Sequence, residues 1–460
     1  MKKGIFYLLI LILIIAVIFS FAAVCNGCNF PSIKNVVDEL QMPAEEGDNE
    51  EVEEVVEEEE LQEEEDAGIN YKIAYFGVGI NEDSSHFEYR VAEIYSVSPD
   101  GSGKELIYSD IDEHFDLSRI YYVSPDNSQI SCGFYEGGRG AYSALAVLDV
   151  LTGNLTKLVE FDYTNDESQE LLMDIYGNPV WMRDSKAIAY EVISNPFTSN
   201  FRAAGIQLVD VETGETEEIE IEMEGLSERS TTFLYPMLFS RNNQKLYAIY
   251  HTYFAKEEDG QVLDYISCNE KLMLIEIESG SMTEIISVDN FEQELATFDN
   301  FNLFAGQDKL VFQVMGDFEE DGDLWVCNSD GSNLGKLTSN PELREQQPSV
   351  FESPGIIGKV AYIGSLRYGT ISSEIPSGDV YTINLDDSEN KKLTDYGVGP
   401  AKPIFSPDGR YIAFINHIYS ENKEYIESKQ IEVFDTATNQ LTVVASGSNI
   451  FDLAGWIIGN

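Results

Sequence analysis

The stretch from Asp379 to Asp435 alternates apolar and polar residues in short runs that are separated by turn-forming sequences. Asp379-Val-Tyr-Thr-Ile is followed by the turn Asp386–Asn390, and Pro403-Ile-Phe-Ser leads through Pro-Asp-Gly409 into Tyr411-Ile-Ala-Phe-Ile. Alternation with a period of two is typical of half-buried strands, and turn residues between such runs favour antiparallel pairing. The stretch therefore predicts a four-stranded antiparallel meander.

The same unit recurs along the chain, and we name its strands A to D. Seven C strands can be counted, and they begin at Ala92, Ala144, Gly205, Lys271, Asp323, Asp379 and Gln430. Six A strands lie inside the chain, and the final segment Leu453–Asn460 supplies the seventh. This pattern predicts an all-β, seven-bladed β-propeller of four-stranded antiparallel blades over residues 69–460, closed by the C-terminal strand in blade one. A six-bladed ring with one spoiled repeat is the alternative.

The core of the repeat, Phe405-Ser-Pro-Asp-Gly-Arg-Tyr-Ile-Ala-Phe414, resembles that of TolB-like β-propellers, a family whose repeats are similar to WD repeats. The resemblance extends from Tyr71 to Asn460 and implies the propeller fold. It implies little about activity, because propellers carry many unrelated functions.

The N-terminus carries Lys2 and Lys3 ahead of an apolar run from Ile5 to Val24. A run of this length can span a bilayer as a helix, and the preceding positive charge places the rest of the chain outside the cytoplasm. Residues 1–28 are therefore predicted to be a signal or membrane anchor. Phe21-Ala-Ala-Val-Cys25 also resembles a lipoprotein cleavage box, although Val24 departs from it, so lipidation at Cys25 and simple secretion are the alternatives.

Residues 29–68 contain an acidic tract from Asp38 to Asp66, which predicts a disordered, solvated linker. The whole chain has a net charge of −54, and the 17 acidic residues and three lysines of residues 1–68 leave −40 on the propeller. Nucleic acids and anionic lipids require basic surfaces, so the charge argues against both as partners of the propeller.

The long connections of the repeat follow its B and D strands, and in an up-and-down meander both emerge at the same end of the ring. Two of them, residues 252–269 and 365–377, contain Tyr253, Phe254, Arg367 and Tyr368. Loops on a rigid scaffold commonly carry binding sites. These four residues are therefore the candidate surface for a ligand or partner.

Two metal sites can be considered. Asp317, Glu319, Asp321 and Asp323 place oxygen ligands at alternate positions around Gly322, a spacing that suits Ca²⁺, although a solvated acidic hairpin has the same composition. Apart from Ca²⁺, we expect no cofactor. All four histidines, His86, His114, His251 and His417, fall near the long-loop end, which leaves a shared metal site open; some pectin-fragment lyases of similar fold bind a metal through histidine there.

No catalytic motif is recognisable: the chain has no Gly-x-Ser-x-Gly elbow and no phosphate loop. The sequence thus favours a membrane-tethered, extracytoplasmic propeller that binds a protein, peptide or glycan without chemistry of its own. A metal-dependent lyase or hydrolase acting on glycans and a structural envelope component are the alternatives.

Overall fold

The structure is a computed structural model that describes residues 70–80, 90–109, 116–135, 142–160, 170–171, 179–194, 204–221, 230–258, 261–291, 297–304, 308–316, 322–353, 357–366, 378–397, 399–420 and 425–459. The predicted anchor, acidic linker and Cys25 lie outside these residues. Within them, no helix has the length and apolar character needed to cross a membrane. A 3₁₀ turn occurs at Val288–Asn290.

Twenty-nine strands make up the described part of the chain. In chain order they are β1 (Tyr71–Ile80), β2 (Arg90–Val97), β3 (Glu105–Ser109), β4 (Asp116–Val123), β5 (Gln129–Tyr135), β6 (Tyr142–Asp149), β7 (Leu155–Glu160), β8 (Glu170–Leu171), β9 (Val180–Trp181), β10 (Ala187–Ser194), β11 (Ala204–Asp210), β12 (Thr216–Ile219), β13 (Ser230–Phe239), β14 (Lys245–Glu258), β15 (Gln261–Glu276), β16 (Met282–Ser287), β17 (Thr297–Phe304), β18 (Lys309–Met315), β19 (Gly322–Asn328), β20 (Gly335–Lys336), β21 (Leu343–Phe351), β22 (Lys359–Leu366), β23 (Asp379–Asn384), β24 (Lys391–Lys392), β25 (Pro400–Phe405), β26 (Tyr411–Tyr419), β27 (Ile426–Asp435), β28 (Gln440–Gly447) and β29 (Ile450–Ile458).

These strands form seven antiparallel sheets, which confirms the prediction of seven blades. Blade one has the order β29-β1-β2-β3, so the C-terminal strand enters the sheet of the first strand, as the repeat count predicted. Blades two and four to seven are the sheets β4–β7, β13–β16, β17–β20, β21–β24 and β25–β28. Blade three is β9–β12 with the short strand β8 added beside β10. The A strands of neighbouring blades contact one another, so they form the inner wall of the ring.

One connection differs from its prediction. Residues 252–269 were expected to be a loop, but β14 continues to Glu258 and β15 starts at Gln261, so the two strands form a long ribbon. Tyr253 pairs with Ser267 and Phe254 with Ile266 in this ribbon. The physical reason is that both halves of the stretch are rich in aromatic and β-branched residues, such as Tyr253, Val262 and Ile266, which favour strand pairing.

The core lies between the blades. At the seam between blades six and seven, Ala361, Ile363 and Val380 of blade six pack against Ile412 and Phe414 of blade seven. All five are almost completely buried. Apolar burial of this kind stabilises a fold by about 25 cal/mol per Å², so each seam holds two neighbouring blades in a fixed orientation.

A polar chain joins the inner strands of blades five to seven. Asn300, Gln347 and Lys402 each have a positive φ within a bulge of their A strand. The side-chain oxygen of Gln347 accepts the backbone N–H of Lys402 at 2.7 Å, and the Lys402 ammonium lies 2.8 Å from Asp452 in blade one. The bulges therefore turn polar groups from one blade towards the next.

The outer strands are covered by a repeated contact. The C–D turn of a blade approaches the outer strand of the preceding blade, and glycine makes the approach possible. A Cβ atom at Gly280 would lie 1.6 Å from the carbonyl oxygen of Glu220, whereas at Gly214 it would lie 3.6 Å from that of Leu158. Both glycines have a positive φ, +67° and +71°. The turns thereby shield edges that would otherwise pair with other chains.

We predict that Gly280→Ala destabilises the propeller far more than Gly214→Ala. Both changes place a side chain at a positive φ, which costs about 1 kcal/mol, but only the first also forces backbone atoms apart. In urea unfolding, we expect the free energy of unfolding to fall by about 1 kcal/mol for Gly214→Ala and by several kcal/mol for Gly280→Ala. Equal losses for the two variants would show that the turn does not press on the neighbouring blade.

Candidate functional site

The residues proposed from sequence as a binding surface are not brought together by the described structure. Tyr253 and Phe254 lie in β14 of blade four. Arg367 and Tyr368 fall in the gap between Leu366 and Gly378, outside the described residues. A shared role for these four residues stays a prediction.

The acidic motif is only partly described, because Asp317, Glu319 and Asp321 fall in a gap. Asp323 begins β19, is 2% exposed, and lies 2.6 Å from the ammonium of Lys336. Asp379 begins β23 in the same way, 3.0 Å from Lys392. Asp323 therefore occupies a position that the repeat uses twice to fix its outer strand, and Ca²⁺ binding by the motif stays a prediction.

The two described histidines belong to separate blades. His251 of blade four lies 3.2 Å from Glu270, and His417 lies in blade seven, which is not adjacent. His86 and His114 fall in gaps of the description. Within the described ranges, no three His, Cys, Asp or Glu side chains are grouped so that they could hold a metal ion.

An open cleft of about 570 Å³ lies at the seam between blades six and seven. It is formed by the ends of β26 and β27, by the outer strand β28, and by the segment that leads from blade six into blade seven. Its lining residues are Tyr396, Asn416, His417, Ile418, Tyr419, Ser420, Gln430, Glu432, Leu441 and Val443. Among the described residues of this lining there is no lysine or arginine.

Glu432 is the unusual residue of the cleft. It is 1% exposed and stands opposite Phe414 in the pairing of β26 with β27. At the matching place, blades one, five and six pair two aromatic residues: Tyr75 with Tyr95, Phe312 with Trp325, and Tyr362 with Tyr381. Blade seven thus buries a carboxylate where three other blades place a half-buried ring, at a cost that hydrogen bonds must offset.

Two side chains satisfy the Glu432 carboxylate. The Asn416 amide donates to Oε1 at 2.6 Å, and the Tyr396 hydroxyl donates to Oε2. Tyr396 is itself held by blade six, because its backbone N–H donates to Asp379 at 2.6 Å. Burial, with a smaller effect of Glu432, raises the pKa of Tyr396, so the phenol keeps its proton at neutral pH.

Two other buried glutamates in the ring are bonded differently. Glu191 accepts the backbone N–H of Leu234 at 3.1 Å, and Glu270 accepts that of Phe298, in each case from the inner strand of the next blade. These carboxylates tie blades together through the main chain. Both oxygens of Glu432, by contrast, face side chains at an open cleft, which is the arrangement expected of a reactive group.

His417 and Tyr419 complete the polar lining. His417 Nδ1 lies 2.8 Å from the Gly399 carbonyl oxygen, which can only accept, so this nitrogen carries the proton. Burial lowers the pKa of His417, so the ring is neutral and Nε2 is an acceptor. The hydroxyl of Tyr419 is buried and has no hydrogen-bond partner in the described structure, and burial raises its pKa to about 12.

The sequence did not reveal Glu432 as a site residue. Gln430-Ile-Glu-Val-Phe was correctly predicted as a C strand, but a glutamate in an alternating strand suggests the solvent face. The available signal was a comparison of repeats, since the matching position is Trp325 in blade five and Tyr381 in blade six.

No protein-family model and no curated protein matches the chain. Solved structures match in fold. One is an oligogalacturonate lyase in complex with manganese, which is 16% identical with a TM-score of 0.48; the match covers 82% of this chain and 86% of that chain. Another is an oligogalacturonate lyase from Vibrio parahaemolyticus, which is 15% identical with a TM-score of 0.48; the match covers 83% of this chain and 87% of that chain. TolB from Acinetobacter baumannii also matches; it is 13% identical with a TM-score of 0.40, and the match covers 72% of this chain and 66% of that chain. The TolB-like propeller fold expected from sequence is thereby supported.

The prediction of a non-catalytic binding module is wrong, because these matches contradict it. The solved structures that match the chain over most of its length include two oligogalacturonate lyases. At these identities the likeness is one of fold, and neither the lyase's substrate nor its manganese is transferred to this chain.

Proposed function

We propose that this propeller is a glycan-active enzyme whose active site is the cleft between blades six and seven. The observation that carries the proposal is the chain of hydrogen bonds from Tyr396 through Glu432 to Asn416. A nucleophile within hydrogen-bond reach of a base, with that base oriented by a third group, is the arrangement used in covalent catalysis.

Each residue has a role in this proposal. As the Tyr396 oxygen attacks the anomeric carbon, the bond from that carbon to the leaving-group oxygen breaks, and Glu432 accepts the phenolic proton and passes it to that oxygen. Water then displaces the sugar from the tyrosine, and a proton of that water returns through Glu432 to the Tyr396 oxygen. Asn416 holds the carboxylate in the orientation that receives this proton. The high pKa of Tyr396 makes the adjacent base necessary, because the phenol does not lose its proton to water at neutral pH.

The lining supports a neutral glycan as substrate. The Gln430 amide and the His417 ring offer groups that can bond sugar hydroxyls, and Leu441 and Val443, 42% and 50% exposed, offer an apolar wall for the sugar's C–H face. The net charge of −54 and the lack of lysine and arginine among the described lining residues disfavour polyanionic glycans.

We predict that Tyr396→Phe abolishes turnover and leaves the fold intact. Purified protein would be incubated with cellohexaose, chitohexaose and xylohexaose, and new reducing ends would be measured. Loss of the nucleophile should slow cleavage at least about 100-fold, because even an acid–base group contributes about 100- to 10,000-fold. Tyr425→Phe removes the same atom from a residue that is 61% exposed and outside the cleft lining, and should have no effect. Undiminished cleavage by Tyr396→Phe would contradict the proposal.

We further propose that residues 5–24 anchor the chain in a membrane and that the propeller lies outside the cytoplasm, where its partners are glycans, proteins or peptides rather than nucleic acid. The run of apolar residues behind Lys2 and Lys3 supports this placement. Lipidation at Cys25 is the competing mode of attachment.

Fractionation of cells expressing the wild type and Cys25→Ala tests the placement. We expect both proteins in the membrane fraction, since an uncleaved helix needs no cysteine. External protease should release a body that begins within the acidic tract. A soluble Cys25→Ala protein beside a membrane-bound wild type would instead establish lipidation, and a cytosolic wild type would refute the placement.

A further inference from the structure

We propose that the Tyr419 hydroxyl is the recognition group for a hydroxyl of the bound glycan, and therefore a specificity-determining residue of the cleft. The inference rests on the proposed function, because it takes this cleft as the substrate site. It concerns a residue that takes no part in the proton transfer between Tyr396 and Glu432.

The first observation is that this hydroxyl is unsatisfied. Tyr419 is half-buried, its oxygen is inaccessible to solvent, and none of the described residues offers it a hydrogen bond. A buried polar group without a partner destabilises the protein that carries it. Such a group is expected where a ligand later supplies the missing partner.

The second observation is position. Tyr419 is the last residue of β26 and lies beside His417, with ring centroids 6.5 Å apart. Asn416, which orients Glu432, lies three residues earlier on the same strand. The same strand thus carries Asn416 and the unsatisfied hydroxyl of Tyr419. A sugar that forms a hydrogen bond with Tyr419 is therefore held at a fixed place relative to Glu432.

The chemistry of Tyr419 defines what it can bind. With a pKa near 12 the phenol is protonated at neutral pH, so it can donate one hydrogen bond and accept another. A sugar hydroxyl has the same dual capacity. A carboxylate can only accept a hydrogen bond and an ammonium group can only donate one, so each would use one of the two capacities of the phenol.

The test separates a recognition role from a structural one through Tyr→Phe changes at three sites. Tyr419→Phe removes an unsatisfied hydroxyl, so the melting temperature of the free protein should stay equal or rise. Tyr75→Phe is the matched control, because its buried hydroxyl also lacks a partner but lies in blade one, outside the cleft. Tyr362→Phe is the opposite control and should lower the melting temperature, because that hydroxyl donates to Asn390 at 2.8 Å.

Binding is then measured by calorimetry with cellohexaose, chitohexaose and xylohexaose, in the Tyr396→Phe background to prevent cleavage. We expect Tyr419→Phe to weaken the Kd of the bound probe about tenfold, the effect of one lost hydrogen bond, and Tyr75→Phe to leave it unchanged. A lower melting temperature of Tyr419→Phe, or an unchanged Kd, would overturn the inference. Binding that depends on Tyr419 without any cleavage by the wild type would refute the enzyme but retain the recognition group. If none of the three probes binds, both proposals fall.

Discussion

The pairing of β29 with β1 is the interaction on which the rest of the propeller depends. Seven residue pairs from Tyr71–Ile458 to Gly77–Ile450 join the end of the chain to its first strand. Trp456 strengthens the joint, because it is 3% exposed and its indole N–H donates to the Ile404 carbonyl of blade seven at 3.0 Å. A ring of sheets without this joint would open at blade one and expose the backbone of an inner strand.

Closure gives the seams their fixed geometry, and the seams then differ in what they bury. Most use aromatic and aliphatic residues, with carboxylates such as Glu191 bonded to the main chain of the next blade. The seam between blades six and seven replaces a ring with Glu432 and bonds it to side chains at an open cleft. A buried carboxylate at a position where three of the seven blades place an aromatic pair, with its oxygens satisfied from two blades, fits a functional site within a repeat fold.

The sequence was sufficient for the architecture because period-two alternation and turn residues repeat in every blade. The closing strand was predictable too, since Leu453–Asn460 is an A strand without a following B strand. The long ribbon of β14 and β15 was not predicted, because the charged residues between its two apolar runs have the composition of a loop. Glu432 was missed for a related reason: strand alternation distinguishes two faces, but in a propeller both faces of a blade are buried against neighbours. An acidic residue in a strand therefore does not identify a solvent face.

Two truncations within β29 test the closure most directly. Trp456 is buried between blades one and seven, whereas Phe451 in the same strand is 51% exposed. The closed ring predicts that Trp456→Ala lowers the free energy of unfolding by about 3–5 kcal/mol, a large share of the ~5–15 kcal/mol typical of a domain. Phe451→Ala should lower it by about 1 kcal/mol or less. Similar small losses for the two variants would mean that the last strand does not hold the ring together.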